Sequence, residues 1–141
     1  TIPRRIWANL GVHVEKAIIN LKAHRNADCE YQIEIVEVFK NTDGTTKDEP
    51  VNWSDCRFDL HIRPNRREVV KLSSATGDIS ITGNVLTIKL AHDKTHGATW
   101  HTADYDLQVT TADGKIKYPI GGIVELEHNI TDTSDGGWWK N

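Results

Sequence analysis

Alternation with a period of two dominates this chain. Across residues 58–62, apolar Phe58, Leu60 and Ile62 alternate with Asp59 and His61, as in a strand with one buried and one wet face. Tyr31, Ile33 and Ile35 alternate with Gln32 and Glu34, and the phase slips at Val36, where a β-bulge would place it. Shorter apolar runs over residues 69–72, 79–81, 85–90, 105–109, 116–120 and 123–126 predict further strands. Turn residues separate them. Arg63-Pro64-Asn65 ends one run, because proline cannot continue a central ladder. Thr82-Gly83-Asn84 and Thr111-Ala112-Asp113-Gly114 read as tight hairpins, since Gly and Asn tolerate the positive φ such turns require.

Two stretches are less decided. In VHVEKAIINLKAH, Val14, Ala17, Ile18 and Leu21 fit a helical face, whereas Ala17, Ile19, Leu21 and Ala23 fit a strand face. The β-rich surroundings favour a strand over about 16–23. TIPRRIWANLG, at 1–11, shows neither period and reads as an extended arm. Residues 41–50 are expected to be a loop opening on an Asp-Gly turn, and 91–103 the longest loop inside the fold. The total of eight or nine short strands without a convincing helix predicts an all-β fold, an antiparallel sandwich of Ig-like or Greek-key type. Its parts would be an extended basic arm at 1–15, the sandwich at 16–131 and a Trp-ending tail at 132–141.

A length of 141 residues fits one domain with a core that needs no staple. No apolar run approaches the length of a membrane span, so no membrane partner is expected. No basic-then-apolar leader opens the sequence, which points to synthesis in a cytosol. In that setting Cys29 and Cys56 are expected to be thiols rather than a disulfide. A net charge of −3 argues against nucleic acid as a partner. The distribution of charge adds more. Residues 1–25 carry Arg4, Arg5, Lys16, Lys22 and Arg25 against Glu15, a net +4, while residues 104–141 carry a net −4.

The best place for metal chemistry is the long loop, where His92, Asp93, His96, His101 and Asp104 crowd together. All could bind a transition metal, but a His-x3-His spacing has meaning on a helix, and Gly97 with no helical period removes that meaning. Asn41, Asp43 and Asp48 lack the alternating ligands and closing Glu of a calcium loop. Glu34 and Glu37 are not set across a sugar-sized gap, and no nucleophile elbow or phosphate-cradling glycine loop occurs. The expectation is no catalytic residue, no metal, no cofactor and no enzyme. Trp53 and Trp100 sit beside strands and read as core. Trp7, Trp138 and Trp139 lie in polar terminal segments, where they would pack back on the domain, enter a partner or stack on carbohydrate. Arg4, Arg5, Ile6, Trp7, Trp138 and Trp139 are therefore the interface candidates.

The order of features over about 18–131 resembles small β-sandwich domains of tailed-bacteriophage virion proteins, among them the N-terminal domain of baseplate upper proteins and related tail, neck and fibre-adaptor domains. INLKAHRNAD is similar to their opening strand and its Arg/Asp turn, and FDLHIR to a strand ending in Ile-Arg. ITGNVLTIKL follows as a hairpin, and Thr95 lies in the loop before the closing meander. YDLQVTTADGKIKYPIGGIVELEHNIT then carries a Tyr-Asp-aliphatic-Gln strand, an Asp-Gly turn, a Gly before the last strand and a final Ile-Thr. The resemblance implies a virion structural role without enzyme activity, in a ring or trimer, with this chain itself and other phage structural proteins as partners. It brings no catalytic residues. The basic arm and the ending at Asn141 depart from the baseplate pattern and favour a small decoration, neck, tail or fibre-adaptor protein. The alternatives are a carbohydrate- or receptor-binding sandwich and, more remotely, a metal-dependent enzyme built on the histidine loop.

Overall fold

The computed structural model describes residues 4–8, 17–40, 42–50 and 53–131, with only the backbone described at 4–8, 37–40 and 46–50. Among these residues eleven strands form two packed sheets. The first sheet holds β1 (Arg4–Ala8), β4 (Cys29–Lys40), β5 (Thr46–Pro50), β8 (Ile79–Thr82) and β9 (Val85–Leu90). The second holds β2 (Ala17–Ile18), β3 (Leu21–His24), β6 (Arg57–Arg63), β7 (Val70–Ser73), β10 (Thr102–Thr110) and β11 (Ile116–Glu127). One turn of helix, α1 (His92–Thr95), lies in the stretch expected to be loop.

The alternation sets the core. Phe58, Leu60 and Ile62 of β6 and Leu107 and Val109 of β10 point inward and are fully buried. They face Ile33 and Ile35 of β4, Leu86 and Ile88 of β9 and Ile79 of β8 across the sandwich. Trp53 is buried against Phe58 with ring centroids 5.8 Å apart, and Trp100 packs partly buried on the same core. Both tryptophans thus lie where their strand neighbours led one to expect. Burial of this kind is worth roughly 1.5–3 kcal/mol per large apolar side chain, so the two facing rows stabilise the fold most.

The phase slip in β4 has a visible origin. The first half of β4 pairs antiparallel with β9 as far as Glu34, and from Val36 it pairs with β5 instead. At the changeover the Ile35 amide donates to the Asn84 carbonyl at 2.8 Å, and the Asn84 side chain donates back to the Ile35 carbonyl at 3.0 Å. Ile35 and Val36 are both buried there. Residues 46–50, expected as loop, form β5 because β4 runs on past its apolar half and turns back through Gly44, which takes φ +89°. The Gly83 and Gly114 turns close the two predicted hairpins.

Three pairings are parallel: β1 with β4, β2 with β11, and β3 with β11. The expected strand over 16–23 is divided at Ile19–Asn20, and both halves run beside β11. The Ile19 amide donates to the Gly121 carbonyl at 2.9 Å, and Asn20 Oδ1 accepts from the Ile123 amide at 3.1 Å. β11 is continuous through Gly121-Gly122, where two separate runs were expected. Gly122 is needed there, since a Cβ would stand 2.5 Å from the Ile19 carbonyl oxygen. Tyr105, on the neighbouring β10, reaches through the core to donate its hydroxyl to that same oxygen at 2.5 Å.

Candidate functional site

One end of the sandwich gathers Arg25, Asn26, Asp28, Thr95 and Asn129, which lie far apart in sequence. The turn after β3 places Asn26 at φ +59°, a left-handed conformation that Asn tolerates better than most residues. The Asn26 amide donates to Thr95 Oγ1 at 2.9 Å, and Thr95 is the single polar residue buried among the described residues. Arg25 Nε donates to Asn129 Oδ1 at 2.8 Å and its Nη1 to the Ala98 carbonyl at 3.2 Å. Asp28 accepts from both the backbone and the ring of His92, each at 2.9 Å. Turn, α1 and the exit of β11 are thus joined by polar side chains over a hundred residues of sequence.

The histidine-rich loop does not converge. His92 is committed to Asp28, and His101 stacks on His128 with ring centroids 4.2 Å apart. Asp104 lies on β10 opposite Arg63 of β6. Among the described residues no group of three His, Cys, Asp or Glu side chains is placed to hold a metal ion. The Asp28–His92 contact moves both titrations. Hydrogen bonds from His92, the backbone one foremost, hold the Asp28 carboxyl below its usual range, and the bond to Asp28 raises the His92 imidazole. Cys29 and Cys56 are free and half-buried, and burial pushes the Cys56 thiol up.

The outward face of the second sheet is different in character. Asp59, His61 and Arg63 of β6, Asp104, Asp106 and Gln108 of β10 and Tyr118 of β11 line a shallow depression of about 470 Å³. Gln108 Nε2 donates to the Tyr118 hydroxyl at 2.8 Å, and Arg57 pairs with Asp59 at 3.0 Å. Gly121 of β11 lies in register with Asp106. Beside it run exposed apolar residues: Ile18 at 68% exposure, pairing with Gly121 in register, then Ile123 and Tyr118. Alternation alone predicted a wet face for β6 and β10. It did not predict the apolar margin, because that depends on β2 lying beside β11.

The interface candidates divide. Arg4, Arg5, Ile6 and Trp7 belong to β1, whose backbone pairs with Ile33, Glu34, Ile35 and Val36 of β4. Residues 4–8 of the segment read as an extended arm therefore lie on a sheet edge. Trp138 and Trp139 lie outside the described residues. Among the described residues no helix is long and apolar enough to cross a membrane.

The described residues define an all-β sandwich of two sheets. No protein-family model and no curated protein matches the chain. Among solved structures it is similar to the N-terminal domain of phage TP901-1 ORF48, at 12% identity and a TM-score of 0.48, over 89% of this chain and 98% of that one.

Proposed function

We propose that this chain is a structural protein of a tailed-bacteriophage virion: a tail, baseplate, neck or fibre-adaptor component, made in the host bacterial cytoplasm and assembled into a symmetric oligomer. Its partners are copies of itself and other phage structural proteins, and its role is assembly rather than catalysis. The observation that carries the reading is the way the phage-like sequence features meet in space. The Arg25–Asp28 turn, Thr95 and the end of β11 are separated in sequence yet joined by side-chain hydrogen bonds at one end of the sandwich. Features that cohere in this way behave as one folding signature rather than as a chance sequence of permissive strands. Two sheet-edge features support assembly: β1 laid on β4, and the exposed apolar margin at Ile18 and Ile123.

The test is to measure solution mass by light scattering and to assay purified virions by quantitative mass spectrometry. A closed oligomer, with a fixed number of copies per particle, is the expected result. A chain that is monomeric at every concentration and missing from purified virions would overturn the reading.

A further inference from the structure

We propose that the outward face of the second sheet binds a neutral saccharide, seated in the depression that β6, β10 and β11 share. The proposal goes beyond the assembly reading above and does not depend on it, since the site lies within a single chain.

A break in the ladder builds the site. Leu107 of β10 pairs with Ile120 of β11, and Val109 pairs with Lys117. One residue on β10, Gln108, therefore faces two on β11, Tyr118 and Pro119, which is the count of a β-bulge. Pro119 has no amide hydrogen for the ladder, and bulges are where a sheet tolerates that lack. The Tyr118 side chain lies beside Gln108 on the outer face, where Gln108 Nε2 donates to the Tyr118 hydroxyl at 2.8 Å. Strand register lays further polar groups next to this pair. Asp59 of β6 matches Gln108, His61 matches Asp106, and Arg63 matches Asp104. Asp59, His61, Asp106 and Gln108 are half-buried, while Arg63, Asp104 and Tyr118 are exposed. The first set forms a floor on strands flanked from both sides, so part of its rotamer freedom is lost before any ligand arrives. The second set forms the rim.

The lining selects the ligand. Sugar hydroxyls donate and accept in adjacent pairs. Carboxylates accept, a guanidinium donates, and the Gln and His side chains do both. The Tyr118 ring, 46% exposed, adds a flat apolar surface for the C–H face of a pyranose. At about 470 Å³ the depression falls within the roughly 300–1,000 Å³ of small-molecule sites. Sites for apolar ligands are lined mainly by hydrophobic side chains, and this one is lined mainly by polar ones. Anions are disfavoured, because even with Asp59 paired to Arg57 the carboxylates of Asp104 and Asp106 outnumber Arg63. A metal ion is not the anchor, since among the described residues no group of three His, Cys, Asp or Glu is placed to hold one. An organic cation would be repelled by Arg63 and would leave Gln108 without a role. A neutral polyol uses every group.

The experiment titrates the full chain with soluble disaccharides and follows the amide signals by NMR, a readout suited to weak binding at an open site. Lactose, maltose, cellobiose and diacetylchitobiose are the neutral probes, sialyllactose the acidic one and spermidine the cation; a broad array of neutral glycans widens the search. At least one neutral glycan should bind and shift amides of β6, β10 and β11 around Asp106 and Gln108, saturably. Tyr118→Ala should weaken that binding roughly tenfold, the effect of losing a ring contact. Because Tyr118 is exposed, its unfolding curve should match the parent's. Gln108→Ala should weaken binding too, and Tyr118→Phe, which keeps the ring, should lose less than Tyr118→Ala. Trp138→Ala with Trp139→Ala should bind as the parent does. No response to any neutral glycan would overturn the proposal. So would shifts at these amides with spermidine or sialyllactose alone, unchanged binding in Tyr118→Ala, or binding lost only with the two tryptophans. None of these outcomes bears on the assembly reading, which is decided by solution mass and virion content.

Discussion

Gly122 sits where the Ile19 carbonyl comes closest to β11, and its φ of +154° together with a 2.5 Å approach leaves no room for a Cβ. Gly122→Ala is expected to lower stability by about 1–3 kcal/mol, the usual cost of forcing an extra group into a packed site, measured by denaturant unfolding. Gly77→Ala is the control, because a Cβ there meets nothing within 4 Å and only its φ of +85° is at stake. Equal losses at the two positions would show that backbone conformation, and not the β2–β11 approach, is what matters at Gly122. The Asp28–His92 pair gives a pH dependence. The His92 value is raised above 6.5, so its contribution is full below 6.5 and disappears as pH rises through the folded value. The Asp28 value is lowered below 3.8, so its contribution is present above 3.8 and disappears as pH falls through the folded value. The pair is complete between those limits. By NMR the His92 ring should titrate above 6.5 in the intact protein and return to the ordinary value in Asp28→Asn. The melting-temperature difference between His92→Ala and the parent should be largest near pH 5 to 6 and shrink towards alkaline pH; being exposed, the pair is expected to have a small effect.

At the scale of elements, legibility followed burial. β6 and β10 are central strands of a half-wet sheet, and their alternation maps directly on the inward row Phe58, Leu60, Ile62 and the inward row Tyr105, Leu107, Val109. Leu107 is completely buried, so Leu107→Ala should cost about 2–5 kcal/mol, again by denaturant unfolding. β1 and β5 were missed for a physical reason. RRIWA and TKDEP lie at sheet edges, and backbone pairing there asks for no apolar period. The continuity of β11 was hidden by Gly121-Gly122, which reads as a break in sequence and is in fact the place where β2 comes alongside. The apolar margin of the outer face was hidden likewise, since no single segment contains it. Ile18→Asp and Ile123→Asp should change stability by less than about 0.5 kcal/mol, as for exposed positions generally. Their effect should fall on assembly, seen as a shift of the light-scattering mass towards the monomer.

At the scale of the molecule, the question is what β1 adds to the sandwich. Among the residues whose side chains are described, the core rows come from β3, β4 and β6 to β11, together with Ile19 and Trp53. Deleting residues 1–11 therefore removes β1 and leaves those rows in place. The truncated protein should keep its β-type circular dichroism. It should melt only a few degrees lower, since a loss of about 1 kcal/mol shifts a domain of this size by roughly 4 °C. Assembly should respond far more. The deletion opens the β4 edge at Ile33–Glu37 and takes away Arg4 and Arg5, two of the five basic residues whose net +4 offsets the net −4 of residues 104–141. Charges of this kind steer and register an encounter more than they hold it. Raising ionic strength should accordingly slow assembly of the full chain while changing its final mass little, because salt screens the approach but not the short-range contacts of the assembled state. The truncated chain should stay monomeric at low and high salt alike. Normal assembly of the truncated protein would show that the connector lies elsewhere, with the apolar margin at Ile18 and Ile123 the next surface to test.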